Sequence, residues 1–314
     1  MRTLLAGLSL ALAACTGGDT DKGGTDDTDD TTPDAPTENE LDLKTPPTGT
    51  FSCFTPVTAY DDAVWLEQSI DPAKAGVSRT IDGVVNDFER EEPRSHVEVR
   101  LWVDDVIDGP PDTFQQADPA GKVAFSAPVC QPLSYLSYPD AALDEARSTY
   151  KAHQVYGFTD GSVIAEYISV SNDTYNVVPA ILGITPDPAK SIIAGTAFDC
   201  TRSPDTLSEI DAGKVEHAQV IVRNLDGTKP EGVQVRYFVE NFPDRDQPDT
   251  SPDGLWTAVN VPAGDIRVEM WGLIDGEAKL LGSTQLHSVA GSINIANIFA
   301  GYDGVKYPDS CLAP

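Results

Sequence analysis

The sequence predicts an all-β fold of two tandem antiparallel β-sandwiches. Three observations predict it. Short stretches alternate apolar and polar residues at period two, as in VEVRLWVDD at 97–105 and VQVRYFVEN at 233–241, the pattern of half-buried strands. Clusters such as LDGTKPEG, PDG and VPAG separate those stretches and supply the tight turns of a sandwich. GTFSC at 49–53 and GTAFDC at 195–200 open the same series of segments twice, the sign of a duplicated unit.

The leader precedes both units. Residues 1–14, MRTLLAGLSLALAA, place Arg2 ahead of an apolar run from Leu4 to Leu12 and close on small residues. That is the pattern of a cleaved signal peptide, and the run is too short to span a bilayer. Leu12-Ala13-Ala14-Cys15 resembles the lipobox of bacterial lipoproteins, which implies cleavage after Ala14 and acylation of Cys15. Acyl chains contribute about 0.8 kcal/mol per buried methylene, so two or three of them hold a soluble domain on a membrane. The chain is expected to be exported and anchored to a membrane through its lipid, at the outer membrane or cell surface.

Residues 15–48 are mostly Gly, Thr, Asp and Pro. They offer too little apolar surface to offset the entropy of ordering, so the segment reads as a disordered acidic tether. Its TDDTDD run lacks the spaced oxygens and glycine of an EF-hand loop and reads as solvated charge. The whole chain has 21 Lys plus Arg against 50 Asp plus Glu, a formal charge of −29. Such a balance repels phosphate backbones and argues against nucleic acid as a partner.

The first unit is expected at 49–194 and the second at 195–314. In VEVRLWVDD, Val97, Val99, Leu101 and Val103 share one face, and Glu98, Arg100, Trp102 and Asp104 the other. VQVRYFVEN repeats the alternation. An acidic loop follows each, then DPAGKVAFSAPV at 118–129 against SPDGLWTAVNVP at 251–262. VYGFTDG at 155–161 matches MWGLIDG at 270–276, and TYNVVPAILG at 174–183 matches SINIANIFAG at 292–301. The last pair is expected to be a short accessory helix or apolar segment near the end of each unit. Residues 131–150, QPLSYLSYPDAALDEARSTY, stand where the second unit has only VPAG, and read as an inserted loop.

QVIVRNLDGTKPEGVQVRYF followed by TSPDGLWTAVNVPAGDIRVE resembles the carboxypeptidase regulatory-like domain, a transthyretin-like seven-stranded sandwich. The resemblance covers 215–272 and, more loosely, 79–130, where RTIDGVVNDF replaces the first strand and APVC replaces VPAG. It is similar to bacterial surface lipoproteins that carry such modules in tandem. The family contributes no catalytic residues, and the resemblance implies a stalk, scaffold or binding module.

Little in the chain points to chemistry. His96, His153, His217 and His287 occur singly, without an HExxH or His/Cys spacing, and no GxSxG elbow surrounds a serine, so satisfied or surface histidines are expected. No cofactor motif is present. Two constellations qualify as candidate sites. The acidic loops hold Asp104, Asp105, Asp108 and Asp112 in one unit and Glu240, Asp244, Asp246 and Asp249 in the other, oxygens that could serve calcium or simply face water. Trp102 and Phe238, with Tyr156 and Trp271, fall on the polar face of their strands, where outward rings could stack on a ligand such as a sugar or lie under a covering segment.

Cys53, Cys130, Cys200 and Cys311 make an even set that allows three disulfide connectivities in an exported protein. Pairing within each unit, Cys53 with Cys130 and Cys200 with Cys311, is the simplest. The function expected is a lipid-anchored, non-catalytic envelope protein that binds or scaffolds a protein or glycan ligand. The alternatives are a carbohydrate-binding module serving an extracellular enzyme, and a hydrolase whose site the sequence does not reveal.

Overall fold

A computed structural model describes residues 41–107, 109–140, 146–201 and 213–314. The signal peptide, Cys15 and residues 15–40 of the tether lie outside them, as does Asp108. The described chain is almost entirely β. The first half carries β1 (Ser78–Asp87), β2 (Val97–Trp102), β3 (Thr113–Gln116), β4 (Lys122–Pro128), β5 (Pro132–Pro139), β6 (Ala146–Arg147), β7 (Thr149–Val155) and β8 (Val163–Ser171), then helix α1 (Asn172–Ile181). The second half carries β9 (Ser191–Phe198), β10 (Gln219–Asn224), β11 (Gln234–Val239), β12 (Phe242–Asp244), β13 (Leu255–Val261), β14 (Gly264–Ile274), β15 (Glu277–Ser288), β16 (Ile293–Ile295) and β17 (Ile298–Phe299). Among the described residues, no helix is long and apolar enough to cross a membrane.

Three sheets form. The longest has ten strands, in the order β12-β11-β13-β9-β16-β7-β5-β2-β3, with β17 beside β9. The others are β4-β1-β8-β6 and β10-β14-β15. Most pairs are antiparallel, while β1 with β8, β16 with β7 and β9, and β17 with β9 are parallel. The two halves therefore share one sheet, joined through the three residues of β16, and all described residues belong to one unit. This corrects the expectation of two separate tandem sandwiches: the boundary at 194/195 falls inside β9.

Each half still builds a sandwich core. Val97, Val99, Leu101, Leu133 and Tyr135 of the long sheet meet Ile81, Phe125 and Tyr167 of the four-stranded sheet. Ile193, Ala197, Trp256 and Ala258 meet Val220, Val268, Met270 and Leu281 of the three-stranded sheet. Register shows that these cores lie on opposite faces of the long sheet. Tyr135 pairs with Lys151, Lys151 with Ile295 and Ile295 with Ala194, so Ile193, one residue away, points to the other side. Helix α1 starts at Ser171, whose hydroxyl accepts from the Thr174 N–H, an N-cap. It packs Tyr175 and Val178 over Ile192, Val259 and Ile293.

Two further expectations are corrected. Residues 131–150 are not an inserted loop. They contain β5, where Leu133, Tyr135 and Leu136 are all buried, because LSYLSY is rich in residues that suit a pleated, buried surface. The aligned repeats do not hold equivalent places: β4 pairs with β1, whereas its counterpart β13 pairs with β11 and β9. The expected accessory segment is a helix in the first half, where TYNVVPAILG lies largely in α1, while the apolar SINIANIFAG of the second half forms β16 and β17.

The disulfides are Cys53–Cys200 and Cys130–Cys311, not the within-unit pairs. The cause is that each end of the chain packs on the opposite half. Leu41, Leu43, Val57 and Trp65 cover Ile221, Trp271 and Leu280 on the outside of the three-stranded sheet, which brings Cys53 to the end of β9. Residues 41–48 are accordingly part of the fold rather than tether, with Thr48 N–H donating to Glu216 O at 3.1 Å. The tail places Val305, Tyr307 and Cys311 against the core of the first half, beside Cys130.

Candidate binding cavity

The stacking residues settle first. Trp102 is buried, its ring 6.4 Å from that of Tyr150, and its Nε1–H donates to Gly109 O at 3.3 Å. Tyr156 is buried in the first core, donating its hydroxyl to Tyr167 at 2.8 Å, and burial pushes both phenols up. Trp271 is buried under the N-terminal segment, and its Nε1–H donates to Glu269 at 3.0 Å. Phe238 is half-buried. These rings are not an outward platform: the N-terminal segment covers Trp271, the loop at Gly109 meets Trp102, and Tyr156 turns into the first core.

Glu269, itself buried, accepts from Arg267 Nε at 2.7 Å and lies 3.7 Å from Arg223 Nε. The Tyr60 ring caps Arg267 at 3.6 Å. Burial, and a hydrogen bond to Asp303 at 2.6 Å, push the Tyr60 phenol up to about 12. This ionic network is sealed by protein.

The acidic loops do not gather around a common point. Asp104 and Asp112 accept the backbone N–H groups of Val106 and Val103, and Asp244 accepts that of Asp246. Asp249 faces His217 at 3.4 Å, and Glu240 stands in a left-handed turn at φ 51°. Among the described residues no cluster of three metal-ligating side chains occurs. The carboxylates close turns, the ordinary work of Asp in loops.

Asp105 is different. Its backbone is left-handed, φ 61°, and so is that of His153, φ 57°. The Asp105 carboxylate accepts from Ser134 Oγ at 2.7 Å, from His153 N–H at 2.9 Å and lies 2.5 Å from His153 Nδ1. The other imidazole nitrogen, Nε2, lies 2.5 Å from Gln285 O on β15. Burial works to raise the Asp105 carboxyl, but His153 and Ser134 hold it below the usual range. Burial likewise works to lower the imidazole, but Asp105 and the Gln285 carbonyl hold it above its usual value. The strands dictate the position. β16 pairs with β7 only as far as Lys151, so beyond that residue the edge of β7 faces β15 with no strand between.

The gap so left is a cavity of about 640 Å³. Val106, Ile107, Leu225, Ile266 and Leu286 supply its apolar wall, and Tyr150 lines it from β7. The Tyr150 hydroxyl makes no hydrogen bond to any described residue, and burial raises its pKa despite nearby Arg100. A second pair, His287 Nδ1 and Asp265 Oδ1 at 2.7 Å, stands on the rim. Sequence reasoning named Asp105 and His153 separately. Nothing in their spacing, 48 residues apart, signals that they meet.

Asp105, His153 and Ser134 have the membership of a nucleophilic triad but not its order. Such a triad sets the serine hydroxyl against the imidazole nitrogen remote from the carboxylate. Here the hydroxyl donates to the carboxylate and that nitrogen faces a backbone carbonyl. The cluster is a bridge between the two halves.

No protein-family model and no curated protein matches the chain. Among solved structures it is similar to the shaft pilin SpaA of Lactobacillus rhamnosus GG, at 9% identity over 71% of this chain and 98% of that one, TM-score 0.22. The Bacillus anthracis TIE protein matches at 10% identity over 74% of this chain and 34% of its own, TM-score 0.21. A mutant of the major pilin of Streptococcus pyogenes matches at 9% over 74% and 100%, TM-score 0.19. At these scores the likeness carries no weight for this chain.

Proposed function

We propose that this chain is an exported, lipid-anchored, non-catalytic binding module of the cell envelope, and that the seam cavity is its binding site. The observation that carries the reading is the cavity itself. It has one apolar wall and an unpartnered phenol, the composition of a small-molecule site. Asp105 is paired with His153 and Asp265 with His287; Lys151 also lines the cavity, and burial holds its pKa below the usual value, which works toward its neutral form and so toward a neutral ligand. A glycan is the ligand class preferred, since β2, β3 and β5 place Phe114 and Tyr138, exposed by 63% and 38%, on the face that Tyr150 shares. Two disulfides support export, because thiols stay reduced in the cytosol.

Two measurements test the reading. Cys15→Ser is expected to move the protein from the membrane pellet to the soluble fraction; a variant that still pellets removes the anchor. Calorimetric titration of the full mature chain with cellotriose, chitotriose and maltotriose is expected to show binding to at least one of them. Tyr150→Phe, which deletes only the free hydroxyl, should then weaken it about tenfold, the ordinary worth of one such hydrogen bond. No binding by any of the three, or equal binding by the variant, counts against the cavity as a glycan site.

A further inference from the structure

We propose that His153 is a protonation-dependent latch on the seam cavity, closed while its imidazole is charged and open when it is neutral. Both ring nitrogens meet acceptors. Gln285 O is a backbone carbonyl with only lone pairs to offer, so Nε2 facing it at 2.5 Å must carry hydrogen. Asp105 is a carboxylate already accepting from Ser134 Oγ and His153 N–H, so Nδ1 must carry hydrogen as well. Only the imidazolium satisfies both contacts; a neutral ring keeps one hydrogen and turns a lone pair on the other acceptor.

Which contact then fails follows from their anchoring. Asp105, Ser134 and His153 all belong to the first half and are held to one another by several bonds. Gln285 belongs to the second half and reaches His153 only through that carbonyl. Loss of the proton therefore releases β15 from β7 at the cavity wall. Two carboxylates beside the imidazole favour its charged form, while Lys151, two residues back on β7 and lining the same cavity, has the opposite sign and is itself held below its usual pKa by burial. Asp105 stands on the loop after β2 and Asp303 on the segment after β17, whose negative charge also favours the imidazolium. Ser134 on β5 and Gln285 on β15 are uncharged, and the His287–Asp265 pair on β15 and β14 stands across the cavity. Gly304 runs beside Nε2, with no side chain to interpose.

The pH window follows from the two directions. His153 is held above its ordinary value, so its contribution is complete below that value and is lost as pH rises through the folded one. Asp105 is held below its ordinary value, so its contribution is present above that value and is lost as pH falls through the folded one. The latch is closed between these limits and opens on the alkaline side.

The latch rests on reading the seam cavity as the binding site, but its test needs no ligand. The full mature chain with ¹⁵N-labelled histidines would be titrated by NMR, and amide exchange, corrected for its intrinsic pH dependence, followed in parallel. His153 is expected to show imidazolium shifts on both nitrogens at pH 6 and to titrate above about 6.5. Exchange at 103–107 and 283–287 is expected to rise at least tenfold across that midpoint, while β1 stays protected. His153→Gln should exchange at the open rate throughout, and His217→Gln, which lies outside the cavity against Asp249, should behave as wild type. A His153 neutral at pH 6, or a midpoint crossed with seam protection unchanged, overturns the latch. Should His153→Gln not fold, the wild-type titration decides alone. Seam amides that open while no sugar binds would retain the latch and remove the glycan reading; binding with an unresponsive seam would do the reverse.

Discussion

Gly195 and Gly49 begin the two similar openings of the sequence, yet they are glycine for different reasons. Gly49 has φ 132°, a conformation few other residues adopt. Gly195 lies in β9 where β16 passes so closely that a Cβ would stand 1.7 Å from Ala296 O. Backbone cannot yield as a side-chain end can. Gly195→Ala is therefore expected to cost about 3 kcal/mol, read as a lowered urea midpoint, and to cost more than a surface Gly161→Ala, which meets nothing within 4 Å. At this scale the sequence identifies the face of a residue but not what lies over it. Trp271 does stand on the outer face of its strand, as alternation says, and is buried because Leu41, Leu43 and Trp65 cover it. Those residues stand far away in the sequence, near the start of the described chain, beyond the reach of any local pattern. The Asp105–His153 bridge is invisible for the same reason.

Strands whose faces differ in polarity were legible. β2, β11, β13 and β14 fall where alternation and turn chemistry put them, since one face is buried and period two follows. β5 was not, because aligning two halves forces residues without a counterpart to be read as an insertion. The cost of that alignment also shows in β16. This three-residue strand is parallel to both neighbours and joins the two sandwiches, but INI is too short to carry a period. Parallel pairing needs a long connection, and nothing local announces which distant strand will arrive. The helix was half legible: TYNVVPAILG has an apolar face and is capped by Ser171 just upstream of it, while the similar SINIANIFAG went into the sheet as β16 and β17.

At the scale of the molecule, alternation and turn chemistry spoke for an all-β fold and cysteine number for two disulfides, and connectivity was the part they left open. Each cystine joins the two halves, closing spans of 147 and 181 residues. In the chain-entropy model a span of that length stabilises the folded state by roughly 4 to 5 kcal/mol. The two do not add independently, since their spans overlap. That overlap has a consequence for resistance to proteolysis. Order along the chain is Cys53, Cys130, Cys200, Cys311, with first bound to third and second to fourth. A peptide bond broken anywhere between 53 and 311 is bypassed by at least one cystine, so the two fragments stay covalently attached. Had the pairing been nested within each half, a cut between Cys130 and Cys200 would have parted the protein in two. Limited proteolysis is thus expected to give a single full-mass band on a non-reducing gel after one nick, and two fragments only once thiol is added. A protease can score this protein without dismantling it.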